Sequence, residues 1–484
     1  MAEIDFTGNL IAGKWSQALS GKELKNISPI DPVMVICRFP HSDAADVKAA
    51  IDAAEAAQKK WAQIGPHARG QILLKAAKIL EDKRDTAVET MTREMGKPIR
   101  ESRGEISRSI DLLRYYGSWA WRLGGEKFPS QAPKTTIFTL PAPLGVVALI
   151  TPWNFPSAIP VWKLAPALIC GNTVVLKPAS QAPKSAFLAA ECLCQAGLPA
   201  GVLNIVTGPG SKLSEPLLTD TRIKAISFTG SCDTGKRIFD LAASPSRRIG
   251  LELGGKNPLL VMADANLDTA VDLAVAGAMG LAGQKCTATS RVIVQAAVAK
   301  EFTKRLVAKV RALKTANPLD ETTDVGPVID AAALESIINY VETGKKEGAT
   351  LEIGGNRLKN ADLAKGFYCA PTVFTQVKPD MTIAQEEIFG PVLSVLEAKD
   401  FDDAITIANS VCYGLSAAIC TDDIKLANAF IDRIEAGLVH INSTTSGAEP
   451  HVPFGGMKAS SSGFREMGEA AIDFFSTVKT VYYA

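Results

Sequence analysis

The sequence predicts an α/β protein built as two doubly wound lobes with β-arms, and three observations carry that prediction. Between Thr173 and Leu253, strand-like runs alternate with helix-like stretches, the pattern of a parallel sheet covered by helices. A second alternating region runs from Leu259 to about Asn442. The length of 484 residues corresponds to roughly three domains at ~150 residues each, ample for buried cores.

In chain order, Asn9–Trp15 and Val33–Phe39 are apolar runs set off by polar and Gly/Pro punctuation, and they read as short strands. From Ser42 the spacing turns helical, with Val47, Ile51, Ala54 and Trp61 on one face and Glu/Lys elsewhere. Arg69–Met95 and Glu101–Trp121 continue in that mode and are expected to pack around a sheet formed later in the chain. At Thr135 the pattern becomes extended. Thr135–Leu140 and Gly145–Thr151 flank a Pro-Ala-Pro turn, as a hairpin or a crossing arm would. The strands Thr173–Lys177, Leu203–Thr207, Ala225–Thr229 and Ile249–Leu253 then enclose helices near Lys184–Ala196, Ser211–Leu218 and Thr234–Ala243. In the second region, strands Leu259–Met262 and Ser290–Gln295 alternate with helices Leu267–Leu281 and Val298–Lys314. Gly455–Gly463 is a Gly/Ser-rich loop, and Phe474–Tyr483 closes the chain as a β-like run.

Composition excludes several function classes. Lys+Arg 52 against Asp+Glu 51 leaves a formal charge of +1 without a basic block, so neither nucleic acid nor an anionic membrane is an expected partner. Met1–Trp15 carries Glu3 and Asp5 and no basic n-region, unlike a signal peptide. The most apolar stretches, Thr136–Thr151 and Ala270–Gly283, are broken by Pro141, Pro143 or Asp272 and fall short of a spanning run of ~18 residues. Nine cysteines, an odd number without regular spacing, suit reduced thiols and a cytoplasmic setting. The four histidines form no HxxxH pair and no CxxC accompanies them, so no metal site is expected.

Several short motifs could carry chemistry. Cys286 lies in Gly283-Gln284-Lys285-Cys286-Thr287, a small-residue loop between helix and strand that could present a nucleophilic thiolate; taken alone, such a Cys is more often a small core residue. Glu252, at a strand end before Gly254-Gly255, could enter a cleft at the sheet's carboxyl edge and act as a base, or equally be a salt-bridged structural Glu. Asn154 sits in the rigid Thr151-Pro152-Trp153-Asn154-Phe155-Pro156, as an oxyanion donor or a turn former. Phe228-Thr229-Gly230-Ser231 ends a strand and opens a helix, a phosphate-ready N-terminus that departs from G-x-G-x-x-G. Lys177-Pro178-Ala179-Ser180 offers a cation and a hydroxyl, and Glu386-Glu387-Ile388-Phe389-Gly390-Pro391 sets paired carboxylates beside an aromatic ring. Each of these two is also an ordinary strand end or surface turn.

The combination is far more specific than any member. PWNFP, KPAS, FTGS, LELGGK, GQKC, EEIFGP and PFGGMK occur in the order of the aldehyde dehydrogenase superfamily, which the chain resembles from about residue 9 to its end. Within it the tail Lys458–Phe475 is most similar to α-ketoglutaric semialdehyde dehydrogenases and the neighbouring succinate-semialdehyde group. The resemblance implies a Rossmann-like cofactor lobe (1–130 and 148–256), a catalytic lobe (257–453) and arms for oligomerisation (131–147 and 454–484). It implies a catalytic set of Cys286 as nucleophile, Asn154 with the Cys286 N–H as oxyanion donors, Glu252 as activator of water, and Lys177. For the cofactor it implies Thr151, Pro152, Trp153, Asn154, Lys177, Pro178, Ala179, Ser180, Gly210, Phe228, Thr229, Gly230, Ser231, Leu253, Glu387 and Phe389. Glu often stands at position 180 in NAD-preferring relatives, and Ser180 removes its repulsion of a 2′-phosphate, so NADP is expected to be usable as well as NAD.

Succinate-semialdehyde relatives commonly place arginines where this chain has Gly280 and Trp162. Arg291, His451 or Lys285 would have to stand in for an acidic substrate, whereas Trp162, Phe155 and Phe454 would wall an apolar tunnel for an aromatic or aliphatic aldehyde. A CoA-acylating relative generally lacks the general-base Glu, and a structural derivative would be expected to lose the catalytic residues. The expected partners are thus a small-molecule aldehyde and further copies of the chain, as a homodimer or homotetramer.

Overall fold

The computed structural model describes residues 7–484; Glu3 and Asp5 lie outside them. The chain is a mixed α/β structure with two parallel-sheet lobes and an antiparallel arm, the expected class. The first sheet has eight strands in the order Lys14–Ser16, Asn9–Ile11, Leu203–Ile205, Thr173–Lys177, Val146–Ile150, Ile223–Thr229, Arg248–Glu252 and Ser461–Ser462. Its five central strands are parallel. The chain winds one way from Val146–Ile150 to Leu203–Ile205, then returns to place Ile223–Thr229 on the other side of Val146–Ile150. That reversal opens a crevice beyond the carboxyl ends of those two strands, where open α/β sheets bind ligands. Val146–Ile150 is buried at every position, as a strand covered on both faces has to be.

The second sheet runs Thr350–Ile353, Thr372–Thr375, Val392–Ala398, Thr289–Gln295, Asn257–Val261, Ser416–Cys420 and Leu438–Ile441, parallel except for the first. The crossing from one sheet to the other is the short segment Leu253–Lys256, so Glu252 ends the first sheet just before Asn257 begins the second. Cys286 and Glu387 precede the strands Thr289–Gln295 and Val392–Ala398, at the amino ends of the second sheet.

Three readings of the sequence differ from the fold. Of the hairpin and the crossing arm read for 135–151, the hairpin fails, since the runs at 135–140 and 145–151 do not pair, and the arm holds for the first run. Thr136–Pro143 joins a three-stranded arm with Lys127–Phe128 and Ser476–Tyr483, while Val146–Ile150 enters the first sheet. Both runs are apolar and flank prolines, and only tertiary burial separates them. The stretch Arg69–Met95 is divided at Lys83, which ends helix Pro66–Asp82 and precedes helix Arg84–Met95. Phe474 and Phe475 end helix Gly468–Phe475 rather than open the final strand. The first long helix, Ala44–Gln63, starts where its chemistry directs: Asp43 caps it reciprocally with Asp46 and Trp61 is buried on its inner face.

Candidate active site

Between the lobes lies a cleft of about 360 Å³ lined by Pro152, Trp153, Asn154, Thr229, Gly230, Ser231, Leu253, Gly254, Cys286, Glu387 and Phe389. It brings together residues up to 237 positions apart, from Pro152 to Phe389. The first-sheet contributors follow the carboxyl ends of their strands, so the crevice set by strand order is the cleft in which these groups meet.

The loop that presents Cys286 is strained. Leu281, Ala282 and Gly283 adopt left-handed backbone with φ 56°, 51° and 70°, and a non-glycine residue held there costs on the order of 1–3 kcal/mol. Gly283 is needed twice, for that conformation and because a Cβ would run into the carbonyl of Gly390. Buried Gln284 holds the turn: its amide donates to Leu281 O at 3.1 Å and its Oε1 accepts from Ile329 N–H at 2.9 Å. The Cys286 carbonyl accepts from Asn257 Nδ2 at 2.8 Å. Burial first, then the carboxylates of Glu387 and Glu252, push the Cys286 thiol up to about 12, so the unliganded protein holds it protonated at neutral pH.

Asn154 is buried. Its Nδ2 donates to Gln284 O at 3.0 Å, leaving a second N–H free, and its Oδ1 has no partner among the described residues. Its placement depends on two residues the sequence reading missed. Lys97 and Glu105, both fully buried, form an ion pair. Lys97 Nζ also donates to Asn154 O at 2.8 Å and lies 4.6 Å from the Phe155 ring centre. Glu105 Oε1 accepts from Ser157 and Ala158 N–H at 2.8 and 3.0 Å, satisfying the amino end of helix Ala158–Ile169. The spacing of Lys97 and Glu105 hints at nothing, since Lys97 lies in the short link between helices Arg84–Met95 and Ile99–Ser118 and Glu105 falls among ordinary helix charges.

Glu252 is buried; its Oε2 accepts from the Ser461 hydroxyl at 2.6 Å, and its Oε1 is unpartnered among the described residues. Burial, then the Glu466 carboxylate, raises its pKa well above the usual range, against the opposing pull of Ser461, Lys163 and Arg465. Glu466 is ion-paired with buried Lys163, and Ser227 touches both, at 2.7 Å from Lys163 Nζ and 2.8 Å from Glu466 Oε1. Ser461 reaches Glu252 because Ser461–Ser462 adds antiparallel to the first sheet's edge, a two-residue strand too short to leave a periodic signal.

The remaining expected cofactor residues surround the crevice. Thr151 N–H donates to Lys177 O at 3.2 Å, tying two strand ends together, and the buried Thr151 Oγ1 is unpartnered among the described residues. Burial lowers the Lys177 ammonium to about 8, and it donates to the Pro178 carbonyl at 3.2 Å. Ala179 O closes the following turn through Ala182 N–H at 3.4 Å. Ser180 Oγ donates to Gly208 O at 3.1 Å, and Gly210 opens helix Gly210–Thr219. Ser231 caps helix Cys232–Ala242. Gly230 cannot be replaced without collision, since a Cβ would meet the Phe228 ring. The helix amino end, the close backbone at Gly230 and the orphaned Thr229 Oγ1 together fit a pyrophosphate-bearing dinucleotide. Leu253 packs on Gly235 of that helix. Glu387 Oε1 accepts from Gly255 N–H at 3.0 Å, and burial raises its carboxyl to about 7. Phe389 meets Trp153 edge-on, 5.6 Å between ring centres.

Of the expected substrate residues, Trp162 and Phe454 stack at 5.4 Å, and both belong to the apolar cluster that Phe155 and Cys286 pack against. Arg291 is a correction. It is fully buried, its Nε, Nη1 and Nη2 donate to the carbonyls of Lys256, Ile407 and Ala408 at 2.8–3.1 Å, and it does not line the cleft, so it is not placed to meet a substrate. His451 is exposed, 3.6 Å from Glu449, and does not line the cleft.

A half-buried thiol facing a dinucleotide crevice, with a protonatable carboxyl in the same cleft, defines an oxidoreductase that works through covalent catalysis. Residues 15–481 match the aldehyde dehydrogenase family. The chain is 45% identical over 479 residues to an α-ketoglutarate semialdehyde dehydrogenase of Haloferax volcanii, covering 99% of each chain. It is 46% identical over 475 residues to a 2,5-dioxopentanoate dehydrogenase of Saccharolobus solfataricus, covering 98% of each. Its structure superposes on an NAD-dependent aldehyde dehydrogenase of Sinorhizobium meliloti with TM-score 0.96 and 37% identity, over 99% of this chain and 95% of that one. The chain belongs to the aldehyde dehydrogenase family and is an NAD(P)-dependent oxidoreductase acting on an aldehyde.

Proposed function

We propose that the substrate is a semialdehyde with a distal carboxylate, of the α-ketoglutaric semialdehyde kind, oxidised to the acid. The observation that carries the reading is the meeting of Cys286 and Asn154 in one cleft, with the buried Glu252 carboxyl close enough to act on the Cys286 thiol, joined to near-full-length similarity to two dehydrogenases named for that compound.

The Cys286 sulfur gives up its proton to solvent water and forms a C–S bond to the aldehyde carbon, whose C=O π pair moves onto the oxygen. The oxygen becomes an alkoxide, received by the free N–H of the Asn154 amide and the Cys286 backbone N–H. NAD(P), when bound, supplies the acceptor for the hydride that this carbon releases. Glu252 then takes a proton from water; the hydroxide adds to the thioester carbon, the C–S bond breaks, and the acid leaves with Cys286 restored. A carboxyl with raised pKa suits that task, being basic enough to accept the proton and able to pass it on to solvent.

Thr229, Gly230 and Ser231 would hold the pyrophosphate, Lys177 and Ser180 the adenosine ribose, and Glu387 and Phe389 the nicotinamide end. Ser180 leaves room for NADP beside NAD. The stack of Trp162 on Phe454 supports a second reading, an uncharged aromatic or aliphatic aldehyde. The arm carries exposed Phe128, Leu140, Val478, Tyr482 and Tyr483, which supports assembly into a dimer or tetramer. No helix among the described residues is long and apolar enough to cross a membrane, and the free thiols suit a cytoplasmic enzyme. The test is NAD(P)H formation from an aldehyde panel with each cofactor, with and without CoA. Strict CoA dependence, or no turnover of any carboxylated aldehyde, refutes the proposal.

A further inference from the structure

We infer that Lys285 grips the distal carboxylate of the substrate, an assignment that rests on the semialdehyde reading above. The argument begins with charge. A carboxylate brought beside Cys286, which packs against the apolar cluster of Trp162 and Phe454, needs a cation, because an unpaired buried charge is costly. The other cations around the catalytic residues are committed. Arg291 donates to three carbonyls, Lys97 is paired with Glu105, and Lys163 with Glu466. Lys256 is buried beside the Glu387 carboxylate, and Arg465 faces the charge of Glu252.

Lys285 is different. It directly precedes the nucleophile and is half-buried, and among the described residues its ammonium has neither a hydrogen bond nor a carboxylate within 4.0 Å. Its position is built. The side chain folds back over Gly280, with Nζ 2.7 Å from where a Cβ on that residue would stand, so only glycine leaves the ammonium its place. Glu101, on the same side, has its Oε1 3.5 Å from that Cβ position and already accepts from Leu281 N–H at 3.0 Å. That bond directs Glu101 Oε1 to the backbone, so the Lys285 ammonium, which lines a small cavity with Gly283, Glu387 and Phe389 beside the Cys286 cleft, keeps its donors for an incoming anion.

The experiment compares α-ketoglutaric semialdehyde with pentanal, an uncharged aldehyde of equal chain length, in wild type, Lys285→Met, Lys285→Arg and Gly280→Ala. Lys285→Met should lower kcat/KM for the semialdehyde at least tenfold, chiefly through KM, and leave pentanal within threefold. Lys285→Arg should retain most of the preference. Gly280→Ala displaces only the flexible end of a lysine, so the protein folds, and it should lose part of the preference. Equal losses on both substrates, or no loss on the semialdehyde, overturn the inference. If wild type oxidises pentanal but not the semialdehyde, the proposed function fails instead; Lys285 is then judged by glutarate inhibition of pentanal oxidation, and an unchanged inhibition constant in Lys285→Met overturns the assignment.

Discussion

Replacing Lys97 with Met tests whether the buried ion pair behind Asn154 sets the oxyanion donor. The substitution keeps the stem and removes the charge. It strands the fully buried Glu105 carboxylate, which retains only the Ser157 and Ala158 N–H groups, and breaking a buried pair in this way costs about 3–5 kcal/mol. The Asn154 carbonyl also loses its donor at 2.8 Å, a further ~1–3 kcal/mol where nothing replaces it. Because the two losses share one ammonium, the total should lie near ~5 kcal/mol, a large part of a typical domain's stability. Glu105→Gln should cost less, since its amide oxygen still accepts from both N–H groups. In the double variant no charge is left buried, so its destabilisation should fall short of the sum of the singles by at least ~2 kcal/mol. Urea unfolding followed by circular dichroism measures this coupling. Loosening Asn154 should lower kcat by ten- to a thousandfold, the upper end being the value of a whole oxyanion donor. Additive singles, or a Lys97→Met enzyme whose kcat stays within twofold of wild type, refute the reasoning.

Cys286→Ala should abolish turnover while cofactor binding, followed by fluorescence, persists; activity above about one percent means that another nucleophile operates. Glu252→Gln should release one burst of NAD(P)H per site and then stall, and the absence of a burst places Glu252 before hydride loss. Activity needs ionised Glu252, so kcat should rise with pH through its raised pKa. Removing the neighbouring anion with Glu466→Gln should move that limb to lower pH, and removing the cation with Lys163→Met should move it higher, so shifts of the same sign in a pH-rate series contradict the electrostatic account. Ser180→Glu should lower the NADP-to-NAD ratio of kcat/KM at least tenfold, ~1.4 kcal/mol, and an unchanged ratio separates residue 180 from the adenosine ribose.

Much of the fold was legible because local pattern and burial agree in it. The strands Thr173–Lys177 and Ile223–Thr229 are near-continuous apolar runs, as parallel strands buried on both faces must be. Illegible elements were those whose identity is decided by partners. Thr136–Pro143 and Val146–Ile150 are similar runs three residues apart, yet one pairs with the chain's last strand and the other becomes the centre of a sheet. Propensity contains no term for which surface a run will meet.

The site divides along the same physical line. Cys286, Glu252 and Asn154 could be singled out because their local settings, a glycine loop, a strand end and a proline-framed turn, are unusual in themselves. The groups that tune them could not: Lys97, Glu105, Lys163, Glu466 and Ser461 are ordinary residues until folding removes water from around them, and only then does each become decisive. Glu252 shows the consequence. Its nearest modulators, Ser461, Arg465 and Glu466, lie more than 200 residues downstream and reach it only when the tail docks on the edge of the first sheet. The raised basicity that suits Glu252 to activate water is therefore a property of the assembled chain: burial and the Glu466 carboxylate raise it, while Ser461, Lys163 and Arg465 pull the other way.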